Sequence, residues 1–162
     1  MSTVTTGPAG APWTRGRRLG VDVGKVRVGV AICDPDGILA TPLVTLPRDL
    51  ATPEGRIPAD LASIASLTRE HDVVEGVVGL PVTLAGTDGV AAQEVRRYAA
   101  VMSGVLAPVP VHLADERMST VVASRRLSER GVRGKRQRAV VDQVAAVEIL
   151  QTWLDTRRRA TG

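Results

Sequence analysis

Apolar and small or polar positions alternate strictly near the front of the chain. Leu19, Val21 and Val23 interleave with Gly20, Asp22 and Gly24, and soon afterwards Val28, Val30 and Ile32 interleave with Gly29 and Ala31. Period two is the mark of strands with distinct faces, so strands are predicted at about 17–24 and 27–34. Asp34-Pro35-Asp36-Gly37 is a turn sequence, and a third strand follows over 38–46. Short turns join all three, which makes an antiparallel meander. The period then changes. Leu61, Ile64, Ala65, Leu67 and Thr68 stand at helical spacing after Pro58, and an apolar strand over 73–80 ends at Pro81. A helix over 89–106 precedes a strand over 109–114, and Ser119 or Thr120 is placed to cap a helix that runs to Glu129 before Gly131. The last helix is predicted from Lys135 to Arg158.

The order β-β-β-α-β-α-β-α-α implies an α/β domain: one five-stranded mixed sheet, a meander followed by strand–helix–strand units, flanked by helices. Residues 1–16, rich in Thr, Gly, Pro and Ala without a period, are expected to form a flexible lead-in. The domain is expected over 17–159, with 160–162 a tail.

Composition narrows the function classes. The 162 residues are 44% hydrophobic and 23% charged, which suits one ordinary domain and excludes wholesale disorder. No apolar run approaches the length of a spanning helix, no secretory pattern opens the chain, and Cys33 is the single cysteine. A cytoplasmic protein without membrane contact is expected, with neither a disulfide framework nor a cysteine zinc site. There is no Phe, one Tyr and two Trp, so platforms that stack bases on exposed rings are disfavoured. Charge is segregated: up to Glu116 there are 10 basic and 13 acidic residues, and from Arg117 onward 11 basic and 4 acidic. A basic C-terminal third points to a polyanion as partner.

Three acidic positions are candidates for chemistry. Asp22 lies mid-strand between Gly20 and Gly24 on one face, which leaves room for a bulky group such as a hydrated ion with a phosphate. Asp142 shares a helix face with Ala145, Ala146, Ile149 and Trp153, where a carboxylate needs a cation or donors; it is expected near the helix N-terminus, where the dipole favours negative charge, and Arg138, one turn earlier, is a candidate partner. Asp115 and Glu116 follow an apolar strand, where open α/β sheets place functional side chains. Alternation sends these two to opposite faces, and spacing does not choose between them. Such acids suit a hard cation, Mg²⁺ or Mn²⁺, and the phosphodiester hydrolysis that paired metals support. Beside them Arg117, Arg125, Arg126, Arg130, Arg133, Lys135, Arg136 and Arg138 form a phosphate-binding candidate surface without base specificity. His71 and His112 are read as structural, and Arg157–Arg159 as a solvated tail.

Four separated segments resemble one family: RRLGVDVGKVRVGVAICDPDG at 17–37, VVGLPVTLAGTDG at 77–89, HLADERMST at 112–120 and KRQRAVVDQVAAVEILQTWL at 135–154. Together they resemble the YqgF/RuvX family, whose members have an RNase H-like fold and are described as pre-16S rRNA nucleases or Holliday junction resolvase-like proteins. The resemblance implies that Asp22, Glu116 and Asp142 are the catalytic, metal-binding acids. It implies that Arg27, Arg117, Lys135, Arg136 and Arg138 face nucleic acid, and that Gly79-Leu80-Pro81 and Gly86 border the site. Gln137 interrupts a segment that is more continuously basic in relatives.

The expected activity is therefore metal-dependent endonucleolytic cleavage of structured nucleic acid, with the 5′ end of precursor 16S rRNA ahead of a four-way DNA junction as substrate. A junction resolvase would need a homodimer, whereas the RNA reading also admits a monomer. A non-catalytic RNA-binding module is the third reading. A sugar-kinase-like phosphotransferase is disfavoured because one lobe cannot enclose a nucleotide.

Overall fold

In the computed structural model, residues 4–6, 13–81, 89–116 and 135–161 are described, with backbone alone for 4–6, 135–141 and 161. Strands β1 (Val4–Thr6), β2 (Arg17–Val23), β3 (Arg27–Cys33) and β4 (Ala40–Pro47) precede helix α1 (Ala59–Glu70). Strand β5 (Val73–Leu80), helix α2 (Val90–Leu106), strand β6 (Val111–Asp115) and helix α3 (Lys135–Thr161) follow. The sheet order is β1-β6-β5-β2-β3-β4. The meander β2-β3-β4 is antiparallel, while β5 lies parallel to β2 and to β6, and β1 parallel to β6.

The α/β architecture agrees with the sequence pattern, with one correction. The sheet has six strands rather than five, because Val4–Thr6 of the lead-in pairs with Val111–Leu113. Three consecutive β-branched residues suit an extended edge, and the outer side of β6 offers unpaired backbone groups to them. The helix expected between Ser119 or Thr120 and Glu129 lies outside the described residues, as do Arg117, Arg125, Arg126, Arg130 and Arg133 and the loop around Gly86.

Strand alternation sorts the side chains into two cores. Leu19, Val21, Val23, Val28 and Val30 meet Leu61, Ile64, Tyr98 and Met102 of α1 and α2. On the other face Ala31, Cys33 and Val77 meet Ala145, Ala146, Ile149, Leu150 and Trp153 of α3. Small residues face α3 because the helix lies almost on the sheet backbone. A Cβ added at Gly20 would stand 2.6 Å from Leu150 Cβ and 2.8 Å from the Ala146 carbonyl oxygen. Gln143 donates to Thr45 Oγ1 at 3.0 Å, and Gln151 accepts from the Ala40 amide at 2.9 Å, so α3 is also pinned along β4. Cys33 is buried in this core and its Sγ accepts the Arg18 amide at 3.2 Å.

The end of the sheet where β2, β5 and β6 begin is fastened by charge. Glu75 accepts from Arg18 Nη2 at 2.6 Å, from Arg157 Nη1 at 2.8 Å, and pairs with His112 Nε2 at 2.6 Å. Arg18 is fully buried with its guanidinium 3.6 Å from the centre of the Trp13 ring, and Trp153 stacks on His112. Arg157, expected in a solvated tail, is instead buried, because the last turns of α3 cross directly above Glu75. Burial by itself pushes the Glu75 carboxyl up, but the hydrogen bonds from His112, Arg18 and Arg157 overcome it and bring the group down to about 2.

Glu75→Gln is expected to destabilise the fold by about 3–5 kcal/mol, since two buried guanidiniums lose their shared carboxylate. The folded-state value lies below the ordinary 4.5, so this contribution is complete above that pH and fades as pH falls towards 2. Thermal unfolding of both proteins from neutral to acid pH checks this: the gap in Tm between them should shrink below pH 4.5.

Candidate active site

At the opposite end, where β2, β5 and β6 finish, the sheet carries a clearing. Asp22 pairs across to Gly29 of β3, and directly opposed residues share a face. On its other side the register Val21↔Val78 puts Gly79 level with Asp22. Gly20 and Gly24 flank it along its own strand on the same face. A single carboxylate, 1% exposed, thus stands among four positions without side chains.

The other two acids enter the clearing from its borders. A Cβ at Gly29 would run into the Asp142 main chain, so the Asp142 backbone sits directly above the residue paired with Asp22. A Cβ at Gly79 would stand 3.1 Å from Glu116 Oε1 and would collide with Ile149. Alternation in β6 explains why Glu116 is the one delivered. Val111 and Leu113 face α1 and α2, His112 and Ala114 face α3, and Glu116 continues the second series. Glu116 is buried, whereas Asp115 is half-buried and belongs to the opposite face. Of the two acids left open by spacing, Glu116 is the one that lies beside Gly79.

Asp142 is buried and stands eight residues into α3, beyond the turn over which a helix dipole acts. The helix N-terminus is thus too far away to stabilise it. Arg27 does so: its Nε donates to Asp142 Oδ2 at 2.8 Å. Arg27 shares the α3-facing side of β3 with Gly29, which gives the guanidinium its line to the helix. Its side chain is one-fifth exposed, so it serves the clearing from the rim. Lys135, Arg136 and Arg138 occupy the first turn or so of α3, with their side chains outside the described residues.

The donor set is all carboxylate oxygen, which suits a hard divalent cation. Among the described residues no three His, Cys, Asp or Glu side chains close around a point as a ready-made metal cage. A cation held there would draw on one or two of these carboxylates, with water and phosphate oxygens completing its shell.

The family model RuvX, described as Holliday junction resolvase, matches residues 16–156. The chain belongs to the RuvX family. A family relative in Mycobacterium ulcerans is 55% identical over 148 residues, covering 91% of this chain and 84% of its own. Another in Nocardia farcinica is 52% identical over 143 residues, covering 88% and 79%. Both are designated candidate pre-16S rRNA nucleases. Among solved structures, Thermus thermophilus RuvC in complex with a Holliday junction substrate aligns with a TM-score of 0.50 at 15% identity, over 89% of this chain and 96% of that one. That likeness places this RuvX-family chain in the RNase H-like fold.

Gly29→Ala tests the clearing. Main chain meets the new Cβ, so α3 must lift, and a loss of about 1–3 kcal/mol is expected in urea unfolding. Gly104, exposed in α2 with nothing near its Cβ position, is the control: Gly104→Ala should stabilise by about 0.5–1 kcal/mol.

Proposed function

We propose that this protein is a metal-dependent endonuclease that hydrolyses phosphodiester bonds in structured nucleic acid, with the 5′ end of precursor 16S rRNA as its substrate. The observation that carries the reading is the buried Asp22 carboxylate in its glycine clearing, bordered by Glu116 and Asp142. The substrate follows from the relatives at 52% and 55% identity, both designated for pre-16S rRNA. No helix among the described residues is long and apolar enough to cross a membrane, and a cytoplasmic site of action fits an RNA-processing role.

In this reading Asp22, Glu116 and Asp142 would hold Mg²⁺ or Mn²⁺. The ion supplies Lewis acidity and an activated water when bound. Asp22 presents its carboxylate from the central strand β2, paired with Gly29 of β3 and one residue beyond the last pair with β5. Glycine at 29 and 79 is what lets the Asp142 main chain and the Glu116 carboxylate come down onto the sheet beside Asp22's strand. Arg27 holds Asp142 in orientation, and its exposed part meets the nucleic-acid backbone at the rim. Arg117, Lys135, Arg136 and Arg138 extend that contact as sequence-independent phosphate binders. They give affinity, while Asp22 and its neighbours act on the bond that is cut.

A second reading is four-way-junction cleavage, favoured by the description of the matched family. It requires a homodimer with two sites in step. The two readings separate when purified protein meets end-labelled precursor-rRNA leader, four-way junction and linear duplex in Mg²⁺ or Mn²⁺. Cleavage of the leader is expected. Asp22→Asn should lower it by about 10²–10³-fold or more, with RNA binding and Tm retained. Symmetric cuts in the junction alone would transfer the assignment to the resolvase, and binding without cleavage would make the protein an RNA-binding module. Full activity in Asp22→Asn would remove Asp22 from the mechanism.

A further inference from the structure

A series of polar groups on the far face of the sheet, most of them buried, ends at the hairpin that leaves Asp22. The β2–β3 turn is tight: the Gly24 amide donates to the Arg27 carbonyl at 2.9 Å, leaving Lys25 and Val26 at the tip. Arg48, just after β4, grips this turn twice. Its amide donates to the Val26 carbonyl at 2.8 Å, and its Nη1 donates to the Gly24 carbonyl at 3.0 Å. The same Nη1 reaches Glu94 of α2 at 3.1 Å, and the guanidinium lies 5.3 Å from the centre of the Tyr98 ring. Tyr98 in turn donates to Asp60 Oδ2 at 3.1 Å, at the start of α1. Burial, and then the Asp60 charge and hydrogen bond, push the Tyr98 phenol well up, so it stays a donor.

This arrangement costs something. The Arg48 side chain is only 10% exposed, and its Nε is buried without a hydrogen-bond partner among the described residues. A methionine or leucine would fill the same space without an orphaned donor. What an arginine adds is a rigid planar fork that joins two elements at one point. Here it joins the Gly24 carbonyl to α2. Gly24 is two residues from Asp22, and Arg27, the partner of Asp142, closes the same turn.

The geometry points to Arg48 as a positioning residue for the acidic site: it clamps the β2–β3 hairpin onto α2, and so sets Asp22 and the Arg27–Asp142 pair relative to each other. This rests on the nuclease reading above. Arg48 touches neither acid, and acts through the hairpin alone.

The test uses full-length Arg48→Met and Arg48→Lys. In Arg48→Met the Gly24 and Arg48 amides should exchange with solvent faster, while amides of β5 are unchanged. Cleavage of the RNA leader should lose about tenfold or more in kcat with KM unaltered, as small misplacement of reacting groups does. Arg48→Lys, which keeps the charge and one donor, should recover part of that loss. Calorimetry with Mn²⁺ alone gives a reading independent of cleavage. Removing a positive charge would by itself tighten cation binding, so a severalfold weaker Kd in Arg48→Met marks displaced carboxylates. Unchanged hairpin exchange, or faster exchange with wild-type kcat and Mn²⁺ affinity, overturns the assignment. If Arg48→Met does not fold, Glu94→Gln removes only the charged anchor on α2, 42% exposed, and should shift exchange and kcat the same way by less. Wild-type values in that variant overturn the assignment. Absence of cleavage by the wild-type protein would defeat the nuclease reading instead, leaving exchange and Mn²⁺ affinity to decide the role of Arg48.

Discussion

Helix α3 lies against the sheet at a separation that only residues without side chains allow. At Gly20, Gly29 and Gly79 the helix comes so close that a single added carbon meets helix backbone or the body of a branched side chain. Close packing of this kind leaves no slack, because a protein interior transmits displacement rather than absorbing it. The position of Asp142 above the strand pair that holds Asp22 follows directly, as does the burial of Glu116 beneath Ile149. Chemistry and packing therefore share one cause: the glycines that admit the helix are the glycines that leave the carboxylates their space.

The same helix carries opposite charge problems at its two ends. Towards its start Asp142 is met by the Arg27 guanidinium from the sheet. Near its finish one carboxylate, Glu75, answers two guanidiniums and an imidazole. Each end is tied to the sheet through an ion pair in which removal of either partner strands the other in a poorly hydrated place. The buried face of α3 between them is apolar, Ala145, Ala146, Ile149, Leu150 and Trp153, and fits against the small residues of the sheet.

Much of this was legible from residue order. Period two around Asp22 marked both the strand and the gaps beside the acid, and the spacing from Asp142 to Trp153 marked a buried helix face. Glu116 was legible only as one of two, since alternation fixes relative and not absolute orientation until the strand's other residues are seated. The far network was hidden for a different reason. Glu75 lies 57 residues from Arg18 and 82 from Arg157, and no local pattern announces a partner at that distance. A lone acid inside the apolar run 73–80 was the available signal, because such a residue needs compensation. Arg48 had no comparable mark: it follows a strand end beside Pro47, where an exposed cation is the ordinary case. Val4–Thr6 shows the converse, a short β-branched run outweighed by the Gly and Pro around it.

The scarcity of aromatic residues has an optical consequence. Trp13 and Trp153, the only tryptophans, both sit in the cation-rich cluster around Glu75, while Tyr98, the only tyrosine, sits under Arg48. Intrinsic indole emission thus watches the end of the molecule away from the acids, and phenol absorbance watches the strut behind the hairpin. No ring faces the carboxylates themselves. The protein's native chromophores divide its two anchoring points between them, so indole emission, excited beyond the phenol band, follows loosening of the Glu75 end without a contribution from Tyr98.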